Sequence, residues 1–113
     1  SKQSEGSSEL SADLQNESAE DKKERKRLAA ERRKKISPLK KKLSKAETDM
    51  AKYQAVLDDL EVVLADGDLY SAENKDKLKT KLDLQAESRQ NLDATEQLWF
   101  ELSEEIEAAE QSE

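Results

Sequence analysis

Between Ile36 and Leu64 the chain places an apolar residue at every third or fourth position without a miss: Ile36, Leu39, Leu43, Ala46, Met50, Tyr53, Leu57, Leu60 and Leu64. Alternating steps of three and four put all of them on one narrow stripe of an α-helix, the pattern of a coiled-coil seam. A helix cannot bury such a stripe by itself. It needs a partner of matching length, and the chain supplies one downstream. The seam stops at ADGDLYSAEN, residues 65–74, where Gly67 is expected to take the left-handed conformation just past a helix end. Ser71 is placed to cap a second helix, with Glu73 in its first turn.

The second seam is looser and runs through Leu78, Leu82, Gln85, Arg89, Leu92, Thr95 or Glu96, Trp99, Leu102 and Ile106. One register pairs it with the first: Leu64 opposite Leu78, Leu43 opposite Trp99 and Ile36 opposite Ile106, residue numbers that add to 142. Leu57 then meets Gln85 and Tyr53 meets Arg89, which makes the middle layer the softest. A short turn favours antiparallel neighbours. The expected fold is therefore all-α, a monomeric, intramolecular antiparallel two-helix coiled coil, or helical hairpin.

The expected divisions are a disordered, acidic, Ser-rich linker over 1–19, a basic helical arm over 20–36, a first coiled-coil helix over 37–65, a turn over 66–71 and a second helix over 72–110. Pro38 marks the second of these boundaries, because it donates no hydrogen bond and clashes one turn back. It predicts a kink or break near residues 36–38, or else it is simply the first residue of the coiled-coil helix.

Composition narrows the function. With 42% charged residues, 34% hydrophobic residues and two glycines in 113 positions, the chain cannot fill a thick core or build a phosphate-cradling loop. It has neither Cys nor His, which removes the commonest nucleophile, general base and zinc ligands. These observations point away from an enzyme and from a bound cofactor. Asp66 and Asp68 in the turn lack the other ligand positions of a calcium loop. No long apolar run or secretion signal is seen, so a cytoplasmic protein is expected.

Charge points towards a partner. Residues 22–45 hold thirteen Lys or Arg against Glu24 and Glu31, a net +11 within a chain of net −7. Lys40, Lys41, Lys42 and Lys45 fall alongside Glu96, Glu101, Glu104 and Glu105 in the register above, and are expected to be partly neutralised there. The arm beyond keeps its field: Lys22, Lys23, Arg25, Lys26, Arg27, Arg32, Arg33, Lys34 and Lys35 form a candidate phosphate-binding stripe for nucleic acid. A membrane surface suits the arm poorly, since it offers only Leu28, Ala29, Ala30 and Ile36 as apolar residues. Trp99 lies on the seam and Phe100 off it. Leu69 and Tyr70 either cover the hairpin tip over Leu64 and Leu78 or form an exposed contact for a partner.

The basic entry helix, SPLKKKL at 37–43, LADGDLYSAENKDKL at 64–78 and EQLWFELSEEIE at 96–107 together resemble the C-terminal coiled-coil domain of bacterial ABC-F ATPases, the YheS type more than the Uup type. The resemblance spans roughly residues 20–110. It implies a piece of a larger protein in which two cassettes bind and hydrolyse ATP with Mg and act on ribosomes in translation. In the Uup type the C-terminal domain is associated with nucleic-acid binding, which would make rRNA, tRNA or DNA the target. No GxxxxGK[ST] occurs here, so any ATPase activity of the parent would lie elsewhere. The acidic second helix confines the expected contact to the first helix. The alternative is a structural or protein-interaction hairpin, docking on the parent ATPase or another protein through Leu69 and Tyr70 or through the acidic helix.

Overall fold

The computed structural model describes residues 18–111. Two long helices pack antiparallel: α1, Ala19–Leu64, and α2, Lys75–Gln111, joined by two short 3-10 turns, Gly67–Tyr70 and Ala72–Asn74. At about 1.5 Å per residue the helices are roughly 69 Å and 56 Å long. The molecule is a rod of 91 × 29 × 14 Å with a radius of gyration of 27.1 Å, about twice that of a compact domain of this size. The expected linker over 1–19 lies outside the described residues apart from Ser18 and Ala19. Ser18 is the N-cap of α1, its hydroxyl accepting from the Asp21 amide at 3.0 Å, with Glu20 and Asp21 at the positive end of the helix dipole.

The arm and the first coiled-coil helix are one element. α1 runs unbroken through residues 36–38, and Pro38 sits in its interior, neither breaking it nor starting it. The helix tolerates Pro38 because that residue and Lys34, whose carbonyl loses its partner, both face solvent. The turn also differs from expectation. No described glycine has positive φ, and Gly67 instead opens a right-handed 3-10 turn capped by the Asp66 carboxylate, which accepts from the Asp68 amide at 3.0 Å. Ser71 makes no side-chain cap bond. Its hydroxyl accepts from the Asn74 amide group at 3.2 Å, and the α-helix begins at Lys75, later than residue 72.

The first seam is buried or half-buried throughout, with Ala46 and Leu60 the most enclosed. The second seam is more regular than the expected one, and two of its members change. Leu82 is 45% exposed and Arg89 is exposed, while Lys81 is half-buried and Ser88 is 4% exposed. The burial pattern on α2 thus follows Leu78, Lys81, Gln85, Ser88, Leu92, Thr95, Trp99, Leu102, Ile106 and Ala109, again in strict steps of three and four, with Asn91 and Ser103 half-buried beside that line. Ile36, Ile106 and Ala109 form one buried cluster with Leu39 and Leu43 packed against it. The burial pattern fits a register whose residue numbers add to 145, with Ile36 level with Ala109, Leu39 with Ile106, Ala46 with Trp99 and Leu57 with Ser88, while the expected neighbours Ile36 and Ile106 do share one buried cluster. The 145 register sets an enclosed layer opposite an enclosed layer along both helices, which the 142 register does not do at Leu60 and Leu82 or at Tyr53 and Arg89.

The polar seam residues find local solutions. The Thr95 hydroxyl donates back to the Asn91 carbonyl at 2.7 Å, so it enters the seam with its donor satisfied. Among the described residues no buried side-chain polar atom lacks a partner.

Candidate nucleic-acid interface

In the 145 register, Gln111 at the described end of α2 lies level with Lys34. The first four turns of α1 therefore carry the basic residues past any described residue of α2. The arm has direction as well as charge. At 100° per residue Lys22, Lys26 and Arg33 fall within about 40° of one another, with Lys23 and Lys34 flanking them on one side. Glu24 and Glu31 lie on the opposite side of the helix. Five of the nine expected residues thus share one exposed face.

The other four are placed differently. Arg27 is committed to its own helix: its guanidinium donates to Glu31 at 2.7 Å and to both carboxylate oxygens of Glu24, one of them at 3.0 Å. That hydrogen bond holds the Glu24 carboxyl below its ordinary range, and the two carboxylates push the Arg27 guanidinium further up. Arg32 is half-buried and extends the seam line below Ile36. Lys35 is exposed but turned away from the stripe, and Arg25, on the seam side, is engaged in an interaction of its own.

The lysines beyond Pro38 depart from the expected neutralisation. Lys40 reaches Glu110 at 3.6 Å, and Lys45 turns to Asp49 on its own helix at 2.8 Å, a bond that raises the Lys45 ammonium above its ordinary range. Among the described residues Lys41 and Lys42 form no ion pair, and Glu96, Glu101, Glu104 and Glu105 receive none of these lysines. In the 145 register Glu110 lies level with Lys35, and the long Lys40 side chain reaches along the helix to meet it. Because α1 is unbroken, Lys40 lies in line with Lys22, Lys26 and Arg33, and Lys41 with the flanking Lys23 and Lys34. Sequence reasoning divided this stripe at Pro38. The spacing 26, 33, 40 was the signal that would have joined it.

At the other end, Leu69 and Tyr70 are placed differently. Leu69 is 9% exposed and closes the last layer, whereas the Tyr70 ring is 58% exposed with its hydroxyl bonded to the Leu64 carbonyl at 2.7 Å. Val62, Val63, Leu69, Asn74 and Lys77 line an open groove of about 430 Å³ beside the tip. Trp99 is half-buried against the Ala46 layer, and Phe100 is exposed.

Among the described residues no group of acidic side chains could hold a metal ion, and no helix is long and apolar enough to cross a membrane. Comparison with protein-family models, with curated proteins and with solved structures gives no match.

Proposed function

We propose that this hairpin is a non-catalytic nucleic-acid-binding or ribosome-binding module that contacts phosphates through the basic face of α1. The observation that carries the reading is the exposed stripe of Lys22, Lys23, Lys26, Arg33 and Lys34, which forms no ion pair among the described residues and, apart from Lys34, lies beyond the described residues of α2. A regular row of cations without a groove-reading motif suits backbone contact and not base readout. The resemblance to ABC-F C-terminal domains gives the module a place: an accessory arm on a cytoplasmic ATPase, with ATP and Mg bound by the parent's cassettes.

The test is binding to duplex DNA and to RNA oligonucleotides at several salt concentrations. Sequence-tolerant binding is expected, with log K falling against log salt by about 0.9 per phosphate neutralised on duplex DNA. The variant Lys22→Glu, Lys26→Glu, Lys34→Glu is expected to lose most of its affinity and to reduce the slope by about 2.7. Unchanged binding by that variant, with its helicity intact, defeats this reading.

A second reading has its own support at the tip. Val62, 75% exposed, and Val63 line the 430 Å³ groove together with Asp66, Asp68 and Lys77, a mixed apolar and charged surface suited to docking a protein partner, and Tyr70 is 58% exposed at the same tip. Undiminished binding by the arm variant would favour it.

A further inference from the structure

Where the arm enters the coiled coil, Arg33, Ser37, Lys40, Lys41 and Ser44 line one open groove of about 600 Å³, and Glu110 of α2 closes its far side. The spacing is i, i+4, i+7, i+8 and i+11, a single helical stripe that exists only because α1 continues through Pro38. Ile36 and the aliphatic stems of the longer side chains make much of the groove lining apolar, and the α1 residues around it bear one guanidinium, two ammonium groups and two hydroxyls. From Arg33 to Lys40 is about 10.5 Å along the helix, roughly three base-pair rises along the axis of a duplex.

We infer that this groove is a phosphodiester-binding site and that the Glu110 carboxylate is its built-in competitor. This rests on the reading of α1 as a nucleic-acid interface, and it adds a defined seat at the junction. Lys40 is held by Glu110 at 3.6 Å, with the two side chains 61% and 51% exposed. A pair so exposed is screened by water and weak, so a phosphate group can take Lys40 from it. Lys41 and Arg33 form no ion pair among the described residues and are available without any exchange. Ser37 and Ser44 present hydroxyl donors of the type that bond phosphate oxygens. Among the described residues Glu110 is the only acidic one lining the groove. The empty groove is thus neutralised in part, and the bound one regains the charge of Lys40.

The experiment compares three forms of the full chain: unaltered, Glu110→Gln, and the double variant Lys40→Ala, Lys41→Ala. Binding to labelled duplex DNA and to single-stranded RNA is measured at several salt concentrations, with helicity checked by circular dichroism. Glu110→Gln keeps the side-chain volume and removes the competing charge, so it is expected to bind about two- to five-fold more tightly at low salt. The double variant is expected to bind more weakly and to reduce the salt slope by about 1.8 on duplex DNA and about 1.4 on single strands. Equal effects on both polymers fit a shared phosphodiester contact, and an effect on one alone assigns the source. If the unaltered chain binds neither polymer, the broader reading falls and the groove with it. If it binds and Glu110→Gln changes nothing, the groove proposal is overturned while the arm reading stands. That arm decides even if the double variant proves unfolded.

Discussion

The Tyr70 hydroxyl donates to the main-chain carbonyl of Leu64 at 2.7 Å, so a loop residue closes the C-terminal end of the helix it follows. The last carbonyls of a helix have no partner within it, and α1 has no basic residue in its last turn to serve them. Tyr70→Phe is expected to cost about 0.5–1 kcal/mol, a lost hydrogen bond at an exposed site. Leu69→Ala, which opens the closing layer, should cost about 2–3 kcal/mol. Urea denaturation followed by circular dichroism checks both, and a larger loss for Tyr70→Phe would reverse the assigned roles.

The register makes its own prediction. Leu60 is 3% exposed and Leu82 is 45% exposed, although both are leucines on expected seams. Leu60→Ala is expected to cost about 2–5 kcal/mol and Leu82→Ala less than about 1 kcal/mol. Similar losses at the two sites would restore the 142 register.

Pro38 sits in an exposed stretch of unbroken helix. Replacing it with alanine returns a hydrogen-bond donor to the Lys34 carbonyl and removes the ring clash. Pro38→Ala is therefore expected to stabilise the hairpin by about 1–3 kcal/mol. A drop in the thermal midpoint would mean that the proline contributes to the packed geometry of α1.

Trp99 reports on burial directly. Because the indole is only half-buried over the Ala46 layer, Trp99→Ala should cost about 2 kcal/mol, below the 3–5 kcal/mol of a fully enclosed aromatic. Iodide should quench its fluorescence less than that of a free peptide but more than that of a core tryptophan. Quenching at the free-peptide level would place the indole in solvent.

The arm has a pH signature. Arg27 hydrogen-bonds Glu24 and lowers its folded pKa, so the pair supports the helix above the unfolded carboxylate range and is lost as pH falls through the lowered folded value. Lys45 has the opposite sense: Asp49 raises its folded pKa, so that support is present at neutral pH and is lost as pH rises through the raised value. A carboxyl titration by nuclear magnetic resonance should find Glu24 below its ordinary glutamate value. A midpoint at that ordinary value would mean that the Arg27 pair does not persist in solution.

The sequence by itself determined the hairpin. Nine apolar positions in strict heptad steps, followed by a ten-residue break and a second apolar stripe, leave a thin chain no other way to bury its seam. It also determined that the charge is segregated, because charge order along a helix is read directly from residue order. Tertiary structure decided the rest. Whether Lys81 and Ser88 or Leu82 and Arg89 face α1 depends on keeping a strict seam along the whole helix, and local hydrophobicity favours the wrong pair. Whether Pro38 divides the arm from the coiled coil depends on its facing solvent, which no local rule contains. Lys40 and Lys41 join the arm's stripe only because the helix is continuous, and Glu110 meets Lys40 only because antiparallel packing brings the C-terminal end of α2 beside this part of α1.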